Sequence, residues 1–75
     1  MLTFIKSEIS DNSAEIADQW VFFADDAGRE YKAFAYFANL PLSRAVKHIV
    51  KFNSCTETEA EAVYRACEAV YPTLF

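Results

Sequence analysis

The chain has 75 residues, of which 53% are hydrophobic and 24% are charged, with one glycine and two prolines. This length accommodates a single domain over residues 1–75, and the composition excludes a disordered, collagen-like or linker protein. The net charge of −4 is opposite to the basic excess that usually accompanies binding to phosphate backbones. Protein partners are therefore favoured, and direct binding to nucleic acid is not expected.

The sequence also limits where the protein resides. No apolar run approaches the roughly 20 residues of a membrane-spanning helix, so no membrane association is expected. The first residues turn polar too early for a secretory signal, and two cysteines do not form a disulfide framework. We therefore expect a cytoplasmic protein.

The first predicted element is a strand from Leu2 to Ser10, because its residues alternate with a period of two. Turn-forming residues follow at 11–13. Ser13 can also cap a helix over residues 14–18, so helix and strand both remain open for 13–18.

A hairpin is predicted around Gly28, the only glycine. Aromatic and β-branched runs at 19–23 and 31–37 flank it, and a glycine suits the last position of a three-residue loop over 26–28. This loop fixes the register. The predicted cross-strand pairs are Asp25–Arg29, Phe23–Tyr31, Val21–Ala33 and Trp20–Phe34.

Two helices follow Pro41, which ends the third strand because proline cannot donate to a strand ladder. An apolar stripe of period 3.6 begins at Leu42, and a break falls at 53–58. Three capping boxes overlap in this break: Ser54 with Glu57, Thr56 with Glu59, and Thr58 with Glu61. We predict Thr56 as the cap of a helix that runs to about Tyr71, before Pro72. The order predicts an α+β fold, a three-stranded antiparallel meander followed by two helices packed on one face (βββαα).

The predicted register gives the sheet two unequal faces. The face assigned to the core carries Ala17, Gln19, Val21, Phe23, Tyr31, Ala33, Ala35 and Phe37. The other face carries Asp18, Trp20, Phe22, Ala24, Glu30, Lys32, Phe34 and Tyr36, and we expect Phe4 and Lys6 to extend it. Because two helices cannot cover both faces, Trp20, Phe22, Phe34 and Tyr36 are expected to be partly buried and to bind a partner. A helix crossing to this side and self-association as a homodimer are the alternatives.

A second candidate surface is acidic. Two aspartates at the hairpin tip and three glutamates at the start of the second helix would form an anionic edge: Asp25, Asp26, Glu57, Glu59 and Glu61. Such an edge would suit the basic groove of a protein that handles nucleic acid. The alternative is that the glutamates only complement the helix dipole.

Catalysis, metals and cofactors are not expected. His48, the only histidine, has no carboxylate three or four residues away to orient it as a base, and is expected to be a solvated surface residue. Cys67 lies in an apolar stripe, Cys55 precedes glutamates that disfavour a thiolate, and these three residues are too few for structural zinc. No nucleotide-binding, metalloprotease or hydrolase motif occurs.

The sequence therefore predicts a small, non-catalytic, acidic protein-binding module. Compact acidic chains without motifs are typical of phage and mobile-element inhibitors, including anti-CRISPR-like inhibitors of nucleic-acid defence complexes. The alternative is a homodimeric DNA-binding regulator of ribbon-helix-helix-like order, a strand followed by two helices. The residues here are opposite in character to those that such a regulator uses to bind DNA, since the strand over 31–36 is mostly apolar and the second helix begins with glutamates.

Overall fold

The computed structural model describes residues 1–9 and 19–74, and the open choice between helix and strand at 13–18 lies outside them. Three antiparallel strands form one sheet in the order β1-β2-β3, and two α-helices follow. The predicted α+β order is confirmed. The elements are β1 (Thr3–Ile9), β2 (Gln19–Ala24), β3 (Glu30–Phe34), a 3-10 helix (Ala35–Asn39), α1 (Leu42–Asn53), α2 (Glu57–Val70) and a second 3-10 helix (Tyr71–Leu74).

The β2–β3 hairpin has the predicted register, with Trp20 opposite Phe34 and Phe23 opposite Tyr31. Gly28 has a φ of 86°, which a residue with a side chain adopts at a steric cost. The Asp25 N–H donates to the Arg29 carbonyl at 3.0 Å, and the Gly28 N–H donates to the Asp25 carbonyl at 3.0 Å. The backbone N–H of Asp25 therefore points toward β3. Because backbone groups alternate in direction along an antiparallel strand, the directions of the other backbone groups in the sheet follow from this one.

A β-bulge in β1 changes the face on which Phe4 lies. The register with β2 shifts between Phe4, which is opposite Phe23, and Lys6, which is opposite Phe22. One extra residue, Ile5, therefore interrupts the alternation. Lys6 lies on the outer face as expected. The expectation that Phe4 lies there too was wrong, because the bulge places it beside the core residue Phe23, with ring centroids 5.9 Å apart.

The third strand is shorter than predicted. Strand pairing ends at Phe34, and residues 35–39 form a 3-10 helix in which the Leu40 N–H donates to the Phe37 carbonyl. The prediction of strand over 35–37 was wrong because a short helix buries the same two side chains, Ala35 and Phe37. Alternation over so few residues does not distinguish the two conformations.

The core lies between the inner face of the sheet and the two helices. Its buried residues are Val21, Phe23, Tyr31, Ala33, Ala35, Phe37, Ala45, Ile49, Ala60, Val63, Tyr64 and Cys67. They include the described members of the predicted core face except Gln19, which is half-buried. Neither α1 nor α2 is long and apolar enough to cross a membrane, within the part of the chain that the structure describes.

The break between the helices positions the start of α2. Ser54 adopts a left-handed conformation (φ 51°) that ends α1, and its N–H donates to the Val50 carbonyl. The Thr56 hydroxyl accepts from the Glu59 N–H at 3.1 Å, and the Glu59 carboxylate accepts from the Thr56 N–H at 2.9 Å. The predicted Thr56–Glu59 capping box is confirmed.

The last residue of α1 covers the outer edge of β3. The Asn53 side chain accepts from the Lys32 N–H and donates to the Lys32 carbonyl, both at 2.8 Å, and also donates to the Ile49 carbonyl. Lys32 is the middle one of the β3 residues whose backbone groups point away from β2. Asn53 thus supplies hydrogen bonds that a fourth strand would otherwise make.

Candidate interaction surfaces

An aromatic cluster lies on the sheet face opposite the core. The Trp20 and Phe34 rings stack with centroids 3.9 Å apart, and Tyr36 continues the stack from Phe34 at 5.7 Å. Trp20, Phe22, Phe34 and Tyr36 are all half-buried, the partial burial that the sequence predicts. With Phe52, they form what we call the aromatic surface.

Phe52 belongs to this surface although the sequence prediction omitted it. It lies near the end of α1, and its ring is 5.5 Å from the Trp20 ring and 5.8 Å from the Phe34 ring. Phe52 is 37% exposed. Helical periodicity provides a signal, because Phe52 follows the buried Ile49 by three residues and therefore lies near the same side of α1.

The lysines at the margin of the aromatic surface are engaged within the chain. The Lys32 ammonium lies 5.1 Å from the Trp20 ring centroid, and the Lys6 ammonium lies 5.2 Å from that of Phe22. Lys6 also forms a 2.6 Å ion pair with Glu8. This hydrogen bond raises the pKa of Lys6. The margin therefore alternates positive and negative charge, whereas phosphate binding favours an uncompensated basic groove.

The five residues of the predicted acidic edge do not form one cluster. Asp25 and Glu59 meet at the Tyr31 hydroxyl, whose oxygen lies 3.4 Å from Asp25 Oδ2 and 2.9 Å from Glu59 Oε2. Arg29 also donates to Glu59, at 3.3 Å. Asp25 in addition accepts from the backbone N–H groups of Ala27 and Arg29 within the turn. These two carboxylates therefore have structural roles.

The other three acidic residues lie elsewhere. Asp26 pairs with the N-terminal ammonium of Met1 at 3.1 Å. Glu57 and Glu61 line an open groove of about 390 Å³ between α1 and α2, and Lys47 lies on its opposite side. The acidic edge is thus divided into an internal cluster, a terminal pair and a groove wall.

The contacts around the Tyr31 hydroxyl shift the pKa values of Glu59 and Tyr31 in opposite directions. Hydrogen bonds from the Thr56 backbone, the Tyr31 hydroxyl and the Thr56 hydroxyl lower the pKa of Glu59. Burial, assisted by the hydrogen bond to Glu59, raises the pKa of Tyr31 to about 12. Native hydrogen bonding thus stabilises an ionised Glu59 and a neutral Tyr31.

Glu59 is expected to contribute stability that depends on pH. Because its pKa is lowered on folding, this contribution is present above its ordinary pKa of 4.5 and is lost as the pH falls below that value. Glu59→Gln should therefore be less stable than the natural chain at pH 7, and the difference in stability should be smaller at pH 3. Urea denaturation at the two pH values measures the difference.

Glu57→Gln is the matched control, because the Glu57 side chain makes no hydrogen bond or ion pair with any residue in 1–9 or 19–74. We expect Glu57→Gln to change stability less at pH 7. If Glu59→Gln lost as much stability at pH 3 as at pH 7, the loss could not come from the charge of Glu59.

The candidates for catalysis or metal binding take part in packing. His48 is exposed, and its ring stacks on that of Phe37 with centroids 5.5 Å apart. Cys67 is buried, and burial raises the pKa of its thiol to about 12. Burial and the Glu59 charge raise the pKa of Cys55. Within the described residues, no group of three or more His, Cys, Asp or Glu side chains is placed to hold a metal ion.

Comparisons with known proteins identify no relative whose function could be compared with this geometry. No family model matches the chain, no curated protein matches its sequence, and no solved structure matches it. The functional argument therefore depends on the surfaces themselves.

Proposed function

We propose that the protein is a non-catalytic module that binds another protein through the aromatic surface. The observation that carries this proposal is the half-buried stack of Trp20 and Phe34 on the sheet face opposite the core, which Tyr36 of the first 3-10 helix extends. Phe52 of α1 contacts the margin of this stack. Large aromatic side chains supply much of the binding energy at protein interfaces when a partner removes them from water.

The composition of the surface indicates the chemistry of its partner. An apolar centre is bordered by Lys6 and Lys32 and by Glu8 and Glu30, which matches the usual interface pattern of an apolar core with a polar margin. The partner is expected to present an apolar patch bordered by charges of both signs. Carboxylates on this margin and the overall negative charge disfavour nucleic acid as the ligand.

The ribbon-helix-helix alternative has less support. In that arrangement, strands from two chains pair with each other and present side chains to DNA. Here β3, which precedes the helices, pairs with β2 of its own chain, and Asn53 binds its other edge. Inhibition of a nucleic-acid defence complex remains compatible with binding through the aromatic surface, and it would make that complex the protein partner.

Removing one aromatic ring is expected to reduce partner binding strongly. Trp20→Ala or Tyr36→Ala should weaken binding by about 30-fold or more, because a central interface aromatic commonly contributes at least 2 kcal/mol. The natural chain, immobilised as bait, identifies a partner by mass spectrometry, and titration calorimetry with that purified partner gives the dissociation constants.

Phe4→Ala is the matched control, because Phe4 is an exposed aromatic residue (40%) on the same sheet but outside the aromatic surface. Circular dichroism establishes that each variant is folded. Partner affinity that is unchanged in folded Trp20→Ala and Tyr36→Ala would show that the protein binds through another surface.

A further inference from the structure

The outer edge of β1 is exposed within the part of the chain that the structure describes. Residues Thr3 to Glu8 are all exposed, and among the described strands β1 pairs with β2 alone. Among residues 1–9 and 19–74, none forms a hydrogen bond with the backbone on the other side of β1. An edge strand of this kind presents unpaired N–H and C=O groups that another strand can bind. The opposite edge of the sheet differs, because Asn53 is bonded to it.

The hairpin determines which β1 groups point outward. Since the Asp25 N–H points to β3, the backbone groups of Phe22 and Trp20 point to β1. Their register partners, Lys6 and Glu8, therefore direct their backbone groups inward to β2. Ser7, between them, directs its N–H and C=O to the open edge.

This alternation restricts how β1 can pair with a second copy of itself. An antiparallel pair must place outward groups opposite outward groups, so the register can change only in steps of two. With Ser7 opposite Ser7 of the second copy, Lys6 lies opposite Glu8, and this pairing occurs twice. The neighbouring registers place Lys6 opposite Lys6, or Glu8 opposite Glu8. Like charges directly opposite each other destabilise a sheet.

We propose that β1 binds β1 of a second copy of this chain in antiparallel register with Ser7 opposite Ser7. The two Ser7 residues exchange N–H···O=C hydrogen bonds, and the Lys6–Glu8 pairs occupy the closely spaced, non-hydrogen-bonded positions beside them. The 2.6 Å Lys6–Glu8 pair within each strand places the two charges side by side. Pairing thus assembles four charges of alternating sign.

The symmetry of this pairing is compatible with the proposed function. The two-fold axis of an antiparallel pair is perpendicular to the sheet, so both copies present the same face to the same side. From the described parts of two copies, the product is a six-stranded sheet with the four α-helices on one face and both aromatic surfaces on the other. The self-interface therefore lies beside the aromatic surface, with Lys6 and Glu8 on the margin between them. Trp20→Ala changes the aromatic surface without changing this charged margin.

Charge reversal tests the proposal. We expect the natural chain to be a dimer in sedimentation equilibrium at up to about 1 mM, with a measurable dissociation constant. Lys6→Glu alone and Glu8→Lys alone should each weaken the dimer on the order of tenfold or more, because each creates like-charge pairs across the interface. The Lys6→Glu/Glu8→Lys double variant should restore it. An equimolar mixture of the two single variants should form a mixed dimer.

Trp20→Ala serves as the control for the other surface, since it should leave the β1 dimer intact, and circular dichroism establishes that every variant is folded. A monomeric natural chain throughout this range would overturn the proposal. A dimer that is lost in folded Trp20→Ala, or that is unaffected by both single charge reversals, would overturn it as well. So would failure of the mixed single variants to associate more tightly than either alone.

Discussion

Phe37→Ala is expected to destabilise the fold by about 3–5 kcal/mol, the usual effect of truncating a fully buried aromatic residue. Phe37 is only 1% exposed. Its ring contacts four others: Phe34, Tyr36, Phe52 and His48. The cavity would therefore disturb the core and remove the support beneath the aromatic surface. Because domains of this size have a small stability margin, much of the variant should be unfolded.

Urea denaturation measures this loss, and Phe37→Leu is the matched control. Leucine retains much of the apolar volume, so we expect Phe37→Leu to lose clearly less stability than Phe37→Ala. If Phe37→Ala lost less than about 1 kcal/mol, the ring could not be part of a close-packed core.

Asn53→Ala is expected to cost about 2 kcal/mol and to increase self-association. The substitution removes both side-chain bonds to the Lys32 backbone and leaves its N–H and C=O groups without their partners. The β3 edge then resembles an ordinary open strand edge. Urea denaturation gives the loss of stability, and light scattering across a concentration series gives the association.

Asn53→Asp separates hydrogen-bond pattern from side-chain size. A carboxylate can accept from the Lys32 N–H, but it cannot donate to the Lys32 carbonyl, so Asn53→Asp should also be destabilised. Asn39→Ala is the matched control, because the Asn39 side chain is exposed and makes no hydrogen bond to any residue in the described ranges. Equal stability of Asn53→Ala and Asn39→Ala would show that the edge bonds contribute little.

Local chemistry explains which parts of the fold were predictable. The hairpin register follows from Gly28, since a single glycine between two apolar runs fixes the loop. The start of α2 follows from the Thr56–Glu59 capping box, which places a side-chain acceptor opposite a helical N–H. Both predictions depend on residues close together in the sequence.

The missed features depend on residues far apart in the sequence. The bulge at Ile5 has no glycine or proline to indicate it, and it is defined only by pairing with β2. In the sequence, Asn53 indicates only the end of a helix. Its hydrogen bonds to Lys32 form because α1 packs beside β3. The division of the acidic edge likewise follows from Tyr31 and Arg29, which reach Glu59 from another element.

The aromatic surface was predictable from the sequence where it is formed by the hairpin, and not where α1 contributes to it. Alternation along β2 and β3 placed Trp20 and Phe34 on the outer face, because side chains on neighbouring strands follow the register. Phe52 required knowledge of how α1 lies against the sheet. A surface formed by one hairpin can thus be predicted from the sequence. The residues that a helix adds to the margin of that surface cannot be predicted in this way.

The Asn53 side chain bound to Lys32 makes the two edges of the sheet unequal, and this limits how far assembly can proceed. A sheet with two open edges can add copies at both ends without limit and polymerise into fibres. Here Asn53 already occupies the backbone groups of Lys32 at the middle of the β3 edge, and two identical β1 edges that pair consume each other's backbone groups. If β1 pairs as proposed, we expect growth by strand addition to stop at the dimer, because Asn53 of α1 hinders addition of a further strand at β3.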